Sequence, residues 1–174
     1  ARLVKINKGI YEVLLKEQKK KIYFDVDGKS DTLEQVKDLI NNQFPNARLQ
    51  ISGSVFENKH SYHIILSNYY LNNLDEFQRL KQWTMQQDEK LGIDTKVYTL
   101  NRNMKCINQS KANEKIKRIQ EYKEGDEELT KHLITCYFDE DSKHGLEYLP
   151  EIPELEKRQK NYNHIDLLDI PQMK

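Results

Sequence analysis

One short run constrains this chain more than any other: Ile22-Tyr23-Phe24-Asp25-Val26-Asp27, closed at once by Gly28. Its apolar residues predict a β-strand with a buried face. Side chains two apart on a strand share a face, with Cα atoms roughly 7 Å apart. Asp25 and Asp27 can therefore converge on one point. Two acids ending a buried strand are costly unless something positive lies between them. A hard divalent cation, Mg²⁺ or Mn²⁺, is the simplest candidate, because such ions prefer carboxylate oxygen. The pair alone leaves a second reading open, two solvated acids at a strand-to-turn junction.

The 174 residues suffice for one domain with a core, and 37% hydrophobic against 32% charged residues reads as globular with a large solvated surface. No apolar run approaches the roughly 18 residues needed to cross a bilayer. The start, Ala1-Arg2-Leu3-Val4-Lys5, has no initiator Met and no signal-peptide core, and reads as a piece of a longer protein. Cys106 and Cys136 form no metal-ligand pair and suggest a reducing compartment.

Neutrality overall hides an asymmetry. Residues 1–120 hold 21 Lys/Arg against 14 Asp/Glu, and residues 121–174 hold 7 against 14. A basic first segment suits a polyanion, and an acidic tail that merely solubilises is the alternative.

Periodicity predicts a helix over 4–19, a strand over 22–27, and a helix over 32–43 with Leu33, Val36, Leu39 and Ile40 inward. It predicts strands over 48–52 and 62–66 and a helix over 74–90. Short strands follow over 96–99 and 104–108, then a basic helix over 113–122 and another over 127–138. The domain is expected to span 1–138, with 139–174 an acidic docked tail or linker. Alternating strands and helices make the class α/β or α+β.

Three further clusters could carry chemistry. Ser61 and His63 share a strand face, and with Lys59 they form a set of hydrogen-bond donors for an anion such as phosphate. Asp94, after Ile93, is either a third carboxylate or a cap. Arg102, Lys105 and Lys111 place three cations within ten residues, as either a triphosphate contact or a general basic surface.

In this order, Phe24-Asp25-Val26-Asp27, Ser61-Tyr62-His63-Ile64-Ile65 and Ile93-Asp94 resemble the catalytic core of the archaeo-eukaryotic primase (primase-polymerase) superfamily. Within it the likeness is to the primase domain of primase–helicases of large nucleocytoplasmic DNA viruses, where Ser-x-His-Ile-Ile and Ile-Asp-Thr-x-Val-Tyr segments recur. It spans residues 22–111. The resemblance implies a mixed or antiparallel central sheet flanked by helices. It implies a nucleotidyltransferase, a DNA primase or polymerase acting in viral DNA replication, with a single-stranded DNA template and NTP or dNTP as partners. Asp25, Asp27 and Asp94 would be the catalytic metal-binding acids for Mg²⁺ or Mn²⁺. Ser61, His63, Lys59, Arg102, Lys105 and Lys111 would bind the nucleotide. Relatives often carry Arg at the Lys105 position, and an ammonium lacks the bidentate fork of a guanidinium. A helicase would lie downstream, since no GxxxxGK[ST] motif is present, and the setting would be the host cytoplasm. Lys19-Lys20-Lys21 and Lys115, Lys117 and Arg118 are candidate template contacts. A non-catalytic single-stranded nucleic-acid-binding module and a metal-dependent nuclease are the competing readings of the same residues.

Overall fold

The computed structural model describes residues 1–6, 9–110 and 119–151. Among them the chain forms antiparallel sheets with two α-helices, an α+β arrangement. A three-stranded sheet runs in the order β1 (Leu3–Ile6), β2 (Gly9–Leu14), β6 (Arg102–Lys105). A larger sheet runs β3 (Lys20–Gly28), β5 (Lys59–Leu71), β4 (Leu49–Phe56), β7 (Glu121–Glu124), with β8 (Lys143–His144) added parallel to β5.

The larger sheet follows from alternation. On β3, Ile22, Phe24 and Val26 are fully buried. They stand opposite Leu66, Ile64 and Tyr62 of β5. Ile51 of β4 lies opposite Ile64 and continues the apolar face. Two helices cover the core. α1 (Thr32–Gln43) buries Val36 and Ile40, and α2 (Leu74–Met85) buries Phe77, Leu80 and Trp83. Trp83 meets the edges of Phe24 and Phe44. Each such ring contact adds about 0.5–1.5 kcal/mol beyond burial.

In place of the helix expected over 4–19, the described residues form β1 and β2, paired antiparallel with Leu3 opposite Glu12 and Val4 opposite Tyr11, and residues 15–19 form neither helix nor strand. β-branched Val4, Ile6, Ile10 and Val13 favour an extended chain. The strand expected over 96–99 is a 3₁₀ turn, Thr95–Val97, and the helix over 127–138 reduces to a 3₁₀ turn, Leu129–His132. Most of the basic helix expected over 113–122 lies outside the described residues, and its last two positions begin β7. α2 ends at Met85 rather than at 90. Residues 139–151 lie on the domain: β8 pairs with β5, and Leu146, Tyr148 and Leu149 pack on the core.

Lys20 and Lys21 are buried, which removes them as template contacts. Lys20 Nζ donates to the carbonyls of Leu15 and Gln18, and Lys21 Nζ to those of Lys131 and Leu133. Burial lowers the pKa of each to about 8. Lys19 instead lies over the Tyr70 ring, 3.7 Å from its centroid. Buried Glu12 accepts from the amides of Ile134 (2.7 Å) and Thr135 (2.8 Å). The Lys21 and Glu12 bonds together fasten residues 131–135 to both sheets.

No helix among the described residues is long and apolar enough to cross a membrane.

Candidate active site

The register of the large sheet builds a polar row on the face opposite Phe24 and Val26. Asp25 pairs with His63 and Asp27 with Ser61 across β3 and β5. Ser52 pairs with His63 and Ser54 with Ser61 across β5 and β4. Directly paired residues project to the same side, about 4.5–5.5 Å apart at Cβ. Two carboxylates, an imidazole and three hydroxyls therefore occupy adjoining positions on three strands.

Asp94 reaches this row by a separate route. Residues 92–94 run along the free edge of β3. Asp27 N donates to the Gly92 carbonyl (2.9 Å) and Asp94 N to the Asp25 carbonyl (2.8 Å). Gly92 has φ +64°, and a Cβ there would sit 1.8 Å from the Asp27 carbonyl oxygen, so only glycine allows this approach. The following turn is locked by Tyr98 Oη, which donates to the Tyr23 carbonyl (2.8 Å), and by Tyr23 Oη, which donates to that of Val97 (3.2 Å). One Asp94 oxygen caps the turn by accepting from Lys96 N (2.8 Å). Asp94 is thus both a cap and a member of the site.

A cavity of about 240 Å³ is lined by Asp25, Asp27, Asp94, Ser61, His63, Lys59, Arg102 and Lys105. Tyr11, Ser54, Asn103, Met104 and Gln120 complete its wall. Its volume lies just below the usual range for small-ligand sites, so a larger ligand would extend through the mouth. Lys111 lies outside the described residues, as do Lys115, Lys117 and Arg118.

Charge in the cavity is mixed. His63 Nε2 stands 3.7 Å from Asp25 Oδ1, and Lys59 Nζ stands 3.6 Å from Asp27 Oδ2. Both separations exceed hydrogen-bond length, so these are electrostatic contacts. Burial raises the pKa of Asp25; His63 opposes the rise, Asp27 and Asp94 add to it, and Arg102 opposes it. Ionised Asp25 therefore stands in a place that favours added positive charge. Arg102 Nε is buried with no hydrogen-bond partner among the described residues. Such a donor is costly to leave unpaired and is suited to an anionic oxygen. Among the described residues, no three His, Cys, Asp or Glu side chains are grouped closely enough to form a ready ligand set for a cation. The three acids border one cavity instead of touching a common point.

Sequence reasoning missed Tyr11, Ser54, Asn103 and Gln120. Extending the strand over 48–52 by two residues puts Ser54 on the face of Ser52, but its place beside Ser61 depends on the pairing of β4 with β5. Tyr11 was hidden by the helical reading of 4–19. Gln120 donates to Ser52 Oγ (3.1 Å) and carries no local signal.

No family model matches the chain, and no curated protein matches it significantly.

Proposed function

We propose that this domain is a template-dependent nucleotidyltransferase of the primase-polymerase type, which makes or extends primers on single-stranded DNA. One observation carries the reading: acids from positions 25, 27 and 94 share a cavity with Ser61, His63, Lys59, Arg102 and Lys105. Residues distant in the chain and suited to one reaction meet in one place.

The donor chemistry, though not a closed ligand set among the described residues, suits Mg²⁺ or Mn²⁺, because hard cations take carboxylate oxygens and ionised Asp25 is destabilised by burial and then by the charge of Asp27 and Asp94. Asp25, Asp27 and Asp94 would hold the ions. Bound there, they would supply acidification of the primer 3′-hydroxyl and neutralisation of charge on the α-phosphate and leaving pyrophosphate. His63 and Ser61 are placed to donate to phosphate oxygens beside those acids. Arg102 would bring a guanidinium fork whose buried Nε lacks a partner, and Lys59 would add a mobile charge at the rim. Held this way, an incoming nucleotide would present its α-phosphate in a fixed direction. The basic excess of residues 1–120 suits a single-stranded template. On the resemblance, this activity would serve viral DNA replication in the host cytoplasm, together with a helicase.

The test is incorporation of labelled nucleotide on a single-stranded DNA template with Mg²⁺ or Mn²⁺. Asp25→Ala and Asp27→Ala should each abolish it. Undiminished activity in both would refute the proposal. Binding without product would favour the non-catalytic module, and strand shortening the nuclease.

A further inference from the structure

We infer that His132 makes residues 126–135 an acid-sensitive latch between the two sheets: the segment holds while the ring is neutral and lets go when the ring takes a second proton. The inference is independent of what the cavity binds.

The segment is tied to three strands. Asp126 N donates to Gln50 Oε1 of β4 (2.6 Å). The Lys21 ammonium of β3 donates to the carbonyls of Lys131 (3.1 Å) and Leu133 (2.8 Å), and Lys21 N donates to that of Ile134 (2.8 Å). Glu12 of β2 accepts from the amides of Ile134 and Thr135. The larger sheet carries Asp25 and Asp27, and the smaller one carries Tyr11, Arg102 and Lys105. The segment therefore tethers one wall of the cavity to the other.

His132 stands between these ties and is 6% exposed. Its Nε2 lies 3.0 Å from the Asp126 carbonyl. A carbonyl only accepts, so Nε2 carries the proton and Nδ1 is a bare lone pair. Nδ1 is buried with no hydrogen-bond partner among the described residues. The ring meets Tyr122 of β7 edge to face, with centroids 5.9 Å apart. A proton on Nδ1 would be a buried donor without an acceptor, on a ring that has become a cation. The residues on either side of His132 already give their carbonyls to the Lys21 ammonium, so the new charge would stand close to an existing one.

Burial holds the pKa of His132 below its ordinary value of 6.5; the bond to the Asp126 carbonyl opposes this, Lys21 adds to it, and the Asp126 carboxylate opposes it. Glu12, Cys136, Asp139 and Lys131 act on Lys21 in turn. Lys21, at about 8, is already charged at pH 7 and does not switch as pH falls further. A released histidine takes its proton near 6.5, and the buried one only at lower pH. Protons therefore favour the open segment: the latch is at full strength above 6.5 and weakens as pH falls through 6.5 towards the folded value.

The experiment measures amide exchange by NMR on the whole chain at pH 7 and pH 5, corrected for the intrinsic pH dependence of exchange. Protection of the Ile134 and Thr135 amides should fall several-fold at pH 5, while amides paired between β3 and β5 keep theirs. His132→Gln retains an Nε2 donor for the Asp126 carbonyl and takes no proton, so its protection should not fall. Every other titratable group is the same in both proteins, and the difference between them reports His132 alone. Imidazole nitrogen shifts of the wild-type protein need no variant, and decide alone where His132→Gln does not fold. They should show the Nε2–H tautomer at pH 7, and protonation in step with the loss of Ile134 and Thr135 protection. An equal loss of protection in His132→Gln would overturn the inference. So would a protonated ring with both amides still protected, or an Nδ1–H tautomer at pH 7.

Discussion

Asp25 shows what an ionised acid costs at the candidate site. Its pKa is raised, chiefly because burial disfavours the carboxylate and because Asp27 and Asp94 add like charge that His63 and Arg102 only oppose. A carboxyl with a folded pKa above its unfolded value binds protons more tightly in the native state. Its ionisation therefore costs stability once pH rises through the folded pKa, and costs nothing below the unfolded value near 3.8. Asp25→Asn should abolish nucleotide incorporation and yet raise the unfolding temperature at pH 7. Melts across pH should show the gain disappearing below about pH 4. Gly92 makes the opposite bargain. Gly92→Ala forces a side chain into a left-handed backbone and against the Asp27 carbonyl. It should destabilise by at least about 1–2 kcal/mol in denaturant titration, and lower activity by displacing Asp94.

At the scale of elements, the site depends on two sheets keeping their relation. β3, β5 and β4 supply Asp25, Asp27, Ser61, His63 and Ser54, whereas β2 and β6 supply Tyr11, Arg102 and Lys105. Glu12 on β2 and Lys21 on β3 grip the same segment, residues 131–135. Glu12→Gln replaces an anionic acceptor of two amides by an amide that can satisfy only part of that role. It should cost about 1–3 kcal/mol in chemical denaturation. Because the second sheet carries Arg102, the variant should also raise the nucleotide KM.

For the whole molecule, the charge distribution matters more than its sum. Residues 1–120 carry seven more cations than anions, and residues 121–174 seven fewer. Two of those cations, Lys20 and Lys21, are spent inside the fold. If the remaining basic surface grips single-stranded DNA, log affinity should fall linearly with log salt. Fluorescence anisotropy on a labelled oligonucleotide would measure the slope. Neutralising Lys19 should make it less steep, whereas Lys20→Met should leave it unchanged. A binding constant indifferent to salt would exclude a phosphate-gripping surface.

Local chemistry and period were readable from the chain. The alternation of 22–27 and 62–66, the apolar stripe of 32–43 and the pairing of acids on β3 all express short-range rules, because side-chain direction on a strand or helix depends only on backbone geometry. Those rules place Asp25 with Asp27, and Ser61 with His63. Other outcomes depended on long-range partners. β1 and β2 form strands where a helix was expected because β6, about ninety residues later in the chain, pairs with β2. The hydrophobic spacing there suits a helix almost as well. Lys20 and Lys21 turn inward because carbonyls from two loops receive them. Tertiary structure alone decided that Asp94 lies beside Asp25 and that Ser54 and Gln120 join the wall. Strand pairing and backbone contact across dozens of residues cannot be inferred from the residues next door.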